Sequence, residues 1–322
     1  MPRLSRRELI AAGASAIAAP WLPMFAAQAS PLTYTLKPIK TGDGVWLIAG
    51  INEAITFENG GAIANITILD SSAGAIIIDT GPSRRFGEQL AKLAKDLTGK
   101  SVARVYVTHF HPDHVFGNQA FAADTIAAPQ GVIDGLRQSG NSFSDAMYYI
   151  ARDWMRGTEI VLPEMAVATG VEEIGGRRLN LFALAGHTSS DLAIYEEKSG
   201  LLITGDLTFL DRAPTTPHAD LAVWSTTLDQ LENLKAAKLI PGHGPAESGT
   251  RAISQTRDWL EAIESIITKA YEKGFDILEA AAEPLPPSLE KISLSRYEFE
   301  RSVMHLYPKL EAARLPGTGK KS

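Results

Sequence analysis

The sequence predicts a mixed α/β protein, a sandwich of two β-sheets flanked by helices. Three observations predict it. Each half of the 322-residue chain runs short apolar strands first and helices afterwards, which suits two sheets that each need an outer helical cover. The apolar β runs end in histidine or aspartate beside glycine, and strand ends are where open α/β sheets gather ligands. A hydrophobic fraction of 45% with 21% charged residues supplies a sizeable core, and no solenoid repeat is visible.

The first half predicts a meander. Val45–Ile48 is a strand after the turn Gly42–Gly44, Ala64–Leu69 a second, and Ala75–Gly81 a third that ends in Asp79-Thr80-Gly81. Phe86, Leu90, Leu93, Ala94 and Leu97 fall at helical spacing within 83–97. Val102–Val107 is mostly apolar, with three β-branched valines, and reads as a buried strand. Val115–Ala122 reads as the first turns of a helix, Thr125–Ala128 as a short strand, and a helix begins at Pro129. Asn141 to Asp145 is the cap of a further helix reaching Met155, whose aromatic and methionine side chains serve either as packing or as a flap over the site.

The second half repeats the scheme. Residues 172–185 form a hairpin about Gly175-Gly176, and Asp191–Glu196 with Leu201–Thr204 form another. Trp224–Ala237 is a helix, Leu239–Ile240 a short strand, and Thr250–Lys273 a long amphipathic helix. The tail from Asp276 is helical, interrupted by Pro284, Pro286 and Pro287. Three segments follow: an export signal over 1–29, a main domain over 30–250, and a helical extension over 251–322.

Composition removes several function classes. Net charge is −6 with no basic stripe, so nucleic acid is not the expected partner and a small molecule is. There are no cysteines, which excludes disulfides, thiolate zinc sites and cysteine catalysis. Arg3, Arg6 and Arg7 precede the apolar segment Leu9–Ala19, and Ala27-Gln28-Ala29 follows. That is the three-part pattern of an export signal, and Ser5–Ile10 matches the twin-arginine type. The expected destination is the periplasm or another exported location. The apolar stretch is short for a spanning helix, so no stable membrane insertion is expected once the signal is removed, and an uncleaved anchor is the alternative. Oligomeric state is not legible.

The densest chemistry is His109-Phe110-His111-Pro112-Asp113-His114. Imidazole is the commonest metal ligand, and carboxylate beside it suits a borderline or hard divalent ion. His109 and His111 alternate along extended chain and can face one ion. Pro112, with its fixed φ, turns the chain before Asp113 and His114. His187, Asp206 and His243 end later strands, each flanked by glycine that lets backbone approach closely. Asp79 reads equally as an outer carboxylate holding a ligand histidine or as a plain strand-end turn. His218 reads as a solvated loop histidine, with contact to substrate as the alternative, and His305 as surface or core packing in the tail. Arg152, Arg156 and Arg212 read as surface groups, with pairing to an anionic substrate as the alternative.

The His-x-His-x-Asp-His run, with the later histidine, aspartate and histidine in order, resembles the metallo-β-lactamase superfamily over roughly residues 40–250. The resemblance implies an αββα sandwich carrying two metal sites. His109, His111 and His187 would hold the first ion, Asp113, His114 and His243 the second, and Asp206 would bridge them. Two Zn²⁺ are implied, with iron or manganese also compatible. Ions about 3.5–4 Å apart can share a hydroxide and clamp the reacting group, giving a nucleophile at neutral pH. In this scheme Asp113 and Asp206 are the catalytic carboxylates.

The absence of cysteine sets aside lactamases that use cysteine at the second metal, and Asp206 sets aside those with histidine only. The expected activity is therefore an exported dinuclear zinc hydrolase acting on an ester, thioester, lactone or amide. The alternatives are a β-lactamase and a non-hydrolytic di-iron or metal-binding accessory protein. The segments 204–212, Pro241–Pro245 and Trp154–Pro163 also resemble the exported quinoprotein relay system zinc metallohydrolases, which implies an accessory role beside a periplasmic quinoprotein or sulfur-oxidation system.

Overall fold

Twelve strands among the described residues build two sheets whose inner faces share one apolar layer. The computed structural model describes residues 32–314, so the export-signal segment 1–29 lies outside the described residues. From Thr33 onward the chain makes one compact unit.

The first sheet holds seven strands in chain order: β1 Pro38–Gly42, β2 Val45–Ile48, β3 Ile66–Ser71, β4 Gly74–Ile78, β5 Val102–Tyr106, β6 Ile126–Pro129 and β7 Met165–Val167. β1 to β4 are antiparallel, as short turns require, and β4 to β7 are parallel, as helical crossovers require. Every residue of β4 is buried, as expected of a strand covered on both faces. The crossovers are α1 Arg84–Thr98, the single turn α2 Pro112–Val115 and α3 Gln130–Ala151. Ser83 caps α1 by accepting from Phe86 N. α1 lies against β4 and β5, and α3 against β6 and β7.

The second sheet runs in the order β12-β11-β10-β9-β8, with β8 Gly170–Ile174, β9 Arg177–Leu184, β10 Asp191–Glu196, β11 Leu201–Ile203 and β12 Lys238–Ile240. Between the sheets, Leu69, Ile76 and Ile78 meet Leu181, Leu192 and Ile203 in one cluster. The outer face of this sheet is covered by α4 Leu221–Asn233 and α5 Arg251–Glu272. The C-terminal helices α6 Ile277–Ala282, α7 Pro287–Glu290 and α8 Ser295–Arg314 continue that cover. Phe299 and Val303 of α8 are fully buried in the cluster that holds Leu202 and Leu239 of the sheet.

The sequence reading and the structure differ in places. In place of the expected helix at 115–122 there is a single turn, Pro112–Val115, started by a proline that needs no hydrogen bond and presets φ, and then a separate 3₁₀ turn at Asn118–Ala120. Residues 141–151 are not a separate capped helix; they continue α3, with Asn141, Ser142 and Asp145 on its exposed side. The edge strands β1 and β7 were not anticipated, being short and weakly patterned.

If the C-terminal helices are part of the core, Phe299→Ala should destabilise the protein by about 3–5 kcal/mol, the usual cost of emptying a buried aromatic site. Urea unfolding measures this. A loss below about 1 kcal/mol would show that α8 packs as a dispensable appendage.

Candidate metal centre

Five strand ends deliver the site. β4 is followed by Asp79, β5 leads to His109 and His111 and on into α2 with Asp113 and His114, β9 leads to His187, β11 to Asp206 and β12 to His243. All seven expected ligand residues come together, and all are buried. They form two groups, His109, His111, His187 and Asp206, and Asp113, His114 and His243, with the ligand atoms of each group within 4.8 Å of one another.

Asp206 divides its carboxylate between the groups. Its Oδ2 lies 3.3 Å from His187 Nε2 and 3.7 Å from His109 Nε2. Its Oδ1 lies 3.2 Å from His114 Nε2 and 3.3 Å from His243 Nε2. Asp113 Oδ2 lies 3.4 Å from His243 Nε2 and 3.6 Å from His114 Nε2. Close backbone approach makes this possible. Gly242 donates its N–H to Gly205 O at 2.7 Å, and a Cβ on Gly242 would collide with Asp206 Oδ1.

Buried polar atoms normally find hydrogen-bond partners. Here His109 Nε2, His114 Nε2 and Asp206 Oδ1 have none, although each is buried and faces the same space. Lone pairs converging without donors fit divalent cations. Burial holds His109, His111 and His187 well below the usual imidazole pKa, so each is neutral, the form a cation binds. Burial opposes charge on His114 and Asp206 as well. At His114 the carboxylates of Asp206, Asp113 and Asp79 outweigh it and raise the pKa, and at Asp206 the surrounding imidazoles hold the carboxyl well below its usual value.

The far sides of the rings are fixed. Asp79 sits at φ 64°, an uncommon conformation that aspartate tolerates better than most residues. Its Oδ2 is 2.7 Å from His114 Nδ1 and 2.8 Å from Thr108 Oγ1, while Oδ1 accepts from Thr108 N at 2.8 Å. Thr108 Oγ1 is in turn 3.0 Å from His109 Nδ1. One carboxylate thereby orients two histidines with Nε2 turned inward. His187 packs edge-on to Trp224 at 5.1 Å, and the His243 ring stacks on Phe209 at 5.2 Å. Asn65 donates to Pro241 O at 2.9 Å and Gly244 O at 2.7 Å, pinning the turn that carries His243. The sequence alone does not mark Asn65, which sits buried just before β3.

A cavity of about 220 Å³ opens over the site. Ala54, Ile55, Ile63, Phe143 and Ile150 give it apolar walls, and Tyr297, Glu298 and Arg301 of α8 form a further wall. The segment read as packing or flap does both. Met147, Trp154 and Met155 are buried, while Phe143 and Ile150 line the cavity. His218 is exposed, as expected of a loop histidine, yet its Nδ1 lies 2.9 Å from His111 Nε2. Arg212 was expected at the surface and is instead 4% exposed, lining the cavity. The loop after β11 turns inward because α8 covers it. Arg152 and Arg156 are exposed, Arg156 paired with Asp153 at 2.9 Å, and His305 is exposed on α8.

The family described as the metallo-beta-lactamase superfamily matches residues 59–243. Among curated proteins, a linear primary-alkylsulfatase of Pseudomonas sp. is 23% identical over 283 residues, covering 74% of this chain and 53% of its own length. A beta-lactamase-like protein 2 homolog of Caenorhabditis elegans is 25% identical, covering 65% of each. The chain thus spans between half and two thirds of these relatives. Among solved structures, a sec-alkylsulfatase from Pseudomonas sp. superposes with a TM-score of 0.67 at 18% identity, over 88% of this chain and 52% of that one. A metallo-beta-lactamase from Pontibacter korlensis gives 0.58 at 22% identity, over 70% of this chain and 99% of that one.

Asp79→Asn should weaken metal affinity roughly 10–100-fold by loosening His114 and Thr108 together, as measured by chelator competition. His218→Ala, at an exposed residue outside both ligand groups, should retain full metal content by elemental analysis. The reverse pattern would show that His218, not Asp79, supports the centre.

Proposed function

The chain belongs to the metallo-β-lactamase superfamily of metal-dependent hydrolases, and from that premise we propose that it is a dinuclear zinc hydrolase of small molecules. The observation that carries this reading is Asp206, with one carboxylate oxygen turned to each of two buried groups whose inward lone pairs lack donors. His109, His111 and His187 would hold one ion and Asp113, His114 and His243 the other, with Asp206 offering an oxygen to each group. Zinc held there would supply the chemistry of an activated water near neutral pH and of a polarised oxygen on the group under attack.

The chain's own groups do the rest. Asp113 lines the cavity and offers a carboxylate oxygen to orient the attacking water and take its proton. Asp206 is held ionised by the imidazoles around it, so it contributes negative charge to both positions throughout. The apolar walls exclude bulk water and strengthen each electrostatic contact. The favoured substrates are esters, thioesters, lactones or amides. The sec-alkylsulfatase likeness extends over 88% of the chain, more than the 70% shared with the lactamase, and makes sulfate esters a second reading. Export by the twin-arginine route and service beside a periplasmic quinoprotein or sulfur-oxidation system remain part of the proposal, supported by the N-terminal residues and the narrower resemblance.

Metal-quantified protein assayed on carboxylic esters, thioesters, lactones, a chromogenic cephalosporin and an alkyl sulfate tests the reading. Chelator-sensitive turnover of the first three classes is expected. Rapid cephalosporin turnover would move the assignment to a lactamase, and predominant iron without hydrolysis would sink the hydrolase reading. Asp206→Ala should lose bound metal and cut turnover by more than the roughly 10–100-fold typical of an outer partner. Unchanged metal content and rate would refute the shared carboxylate.

A further inference from the structure

The connection between β2 and β3 supplies Ala54, Ile55 and Ile63 to the cavity wall, yet residues 49–65 form only turns and irregular chain. A wall without ladder hydrogen bonds keeps its shape only if side chains hold it. Its start is held by Asn52, whose Nδ2 donates to Asp211 O at 3.1 Å. Its turn is held from within by Asn59. Asn59 Oδ1 accepts from Thr56 N and Gly61 N at 3.0 and 2.9 Å, and Nδ2 donates to Ala54 O at 2.7 Å. Residues 54–61 are thereby tied into one unit. Behind that unit lies a second cavity of about 260 Å³, lined by Ile51, Asn59, Ala62 and Ala64. The wall is a partition between two spaces rather than the skin of a packed core.

Two side chains from distant segments fasten the unit. Trp154, just after α3, donates from Nε1 to Phe57 O at 2.8 Å. Gly60 sits at φ 57° against its indole, where a Cβ would lie 2.7 Å from the ring. Tyr34 donates its hydroxyl to Gly60 O at 2.9 Å, and its ring meets Trp154 at 4.3 Å and Phe86 of α1 at 5.1 Å. The Tyr34 oxygen is also 3.0 Å from Ser83 Oγ. A carbonyl only accepts, so Tyr34 donates to Gly60 and Ser83 donates to Tyr34, while Ser83 accepts from Phe86 N. One chain of hydrogen bonds therefore runs from the cap of α1 to the wall, and such chains strengthen each member. Burial pushes the Tyr34 phenol up to about 12, so it keeps its proton.

We infer that Tyr34 is a positioning residue for the cavity over the metal groups. Its hydroxyl on Gly60 and its ring on Trp154 hold the wall of Ala54, Ile55 and Ile63 against the end of α3, whose Phe143 and Ile150 line the same cavity. That spacing fixes the room left for the apolar part of a substrate. Tyr34 belongs to neither ligand group and does not line the cavity, so it acts through Gly60 and Trp154. It also precedes the family-matched residues 59–243, which makes the segment leading into the fold a contributor to the site. The inference rests on the hydrolase reading only in calling the bound molecule a substrate.

Hydrogen exchange and ester kinetics on the metal-loaded protein test it. In the unmodified protein the amides of Gly61, Ala62 and Ile63, bonded at 2.9, 3.0 and 2.8 Å, should be protected. Exchange there as fast as in free chain overturns the proposal whatever any variant does. Tyr34→Phe should speed their exchange roughly 2- to 10-fold, the usual contribution of one hydrogen bond, and raise KM for 4-nitrophenyl hexanoate by a similar factor. KM for 4-nitrophenyl acetate, kcat for both esters and metal content should stay unchanged. Tyr307→Phe also removes a tyrosine hydroxyl from a backbone carbonyl, that of Phe275, and should change none of these. Unchanged exchange and unchanged KM in Tyr34→Phe overturn the proposal, as does an equal response to Tyr307→Phe, which would mark a general loss of stability. Tyr34-dependent protection in a protein that cleaves no ester supports the positioning role and counts against the hydrolase reading. Ester hydrolysis beside a wall indifferent to Tyr34 does the opposite.

Discussion

One carboxylate shared between two sets of imidazoles is the constraint on which the site depends. Asp206 can serve both only if β11 ends level with the ends of β5, β9 and β12, so that oxygens of one residue reach His187 and His114 at 3.3 and 3.2 Å. That convergence explains the residues around it. Gly242 has no side chain because Asp206 occupies the space where a Cβ would stand. Asp79 accepts a strained backbone angle because its carboxylate serves His114 directly and His109 through Thr108. Asn65 bonds to both sides of the His243 turn for the same reason. Gathering so many buried polar atoms without internal partners is costly, and divalent charge is what offsets it.

The chain's own pattern made much of this legible. Apolar β runs ending in glycine and a histidine or aspartate identified the strand ends, and the two strand-then-helix halves identified the sandwich. The seven residues that converge were readable because ligand chemistry permits few residue types. Less was readable where position depends on distant packing. Arg212 has the local sequence of a surface loop, and its burial comes from α8, far along the chain. His218 is exposed as expected, yet its contact with His111 joins residues 107 positions apart. The short turn at Pro112 and the unbroken α3 depend on helix continuation against a sheet, which local signals such as Asn141 do not report.

The fold by itself leaves the chemistry open, since one scaffold hosts several reactions. The lactamase likeness spans 70% of the chain and the sec-alkylsulfatase likeness 88%. Residues beyond the family-matched segment are not peripheral here. α8 buries Phe299 and Val303 in the core and places Tyr297, Glu298 and Arg301 in the cavity wall. Specificity in such a molecule resides in the wall, while reactivity resides in the strand ends.

His109 to His114 follow a strand of the first sheet, whereas His187, Asp206 and His243 follow strands of the second. Ions held between them act as rivets through the sandwich. Any sliding of one sheet over the other is felt as distorted coordination, and any tightening of coordination resists sliding. The apolar layer where Ile78 shares a cluster with Leu192 would therefore act as a tensioner on a loaded centre, linking core packing to ion affinity without touching a ligand.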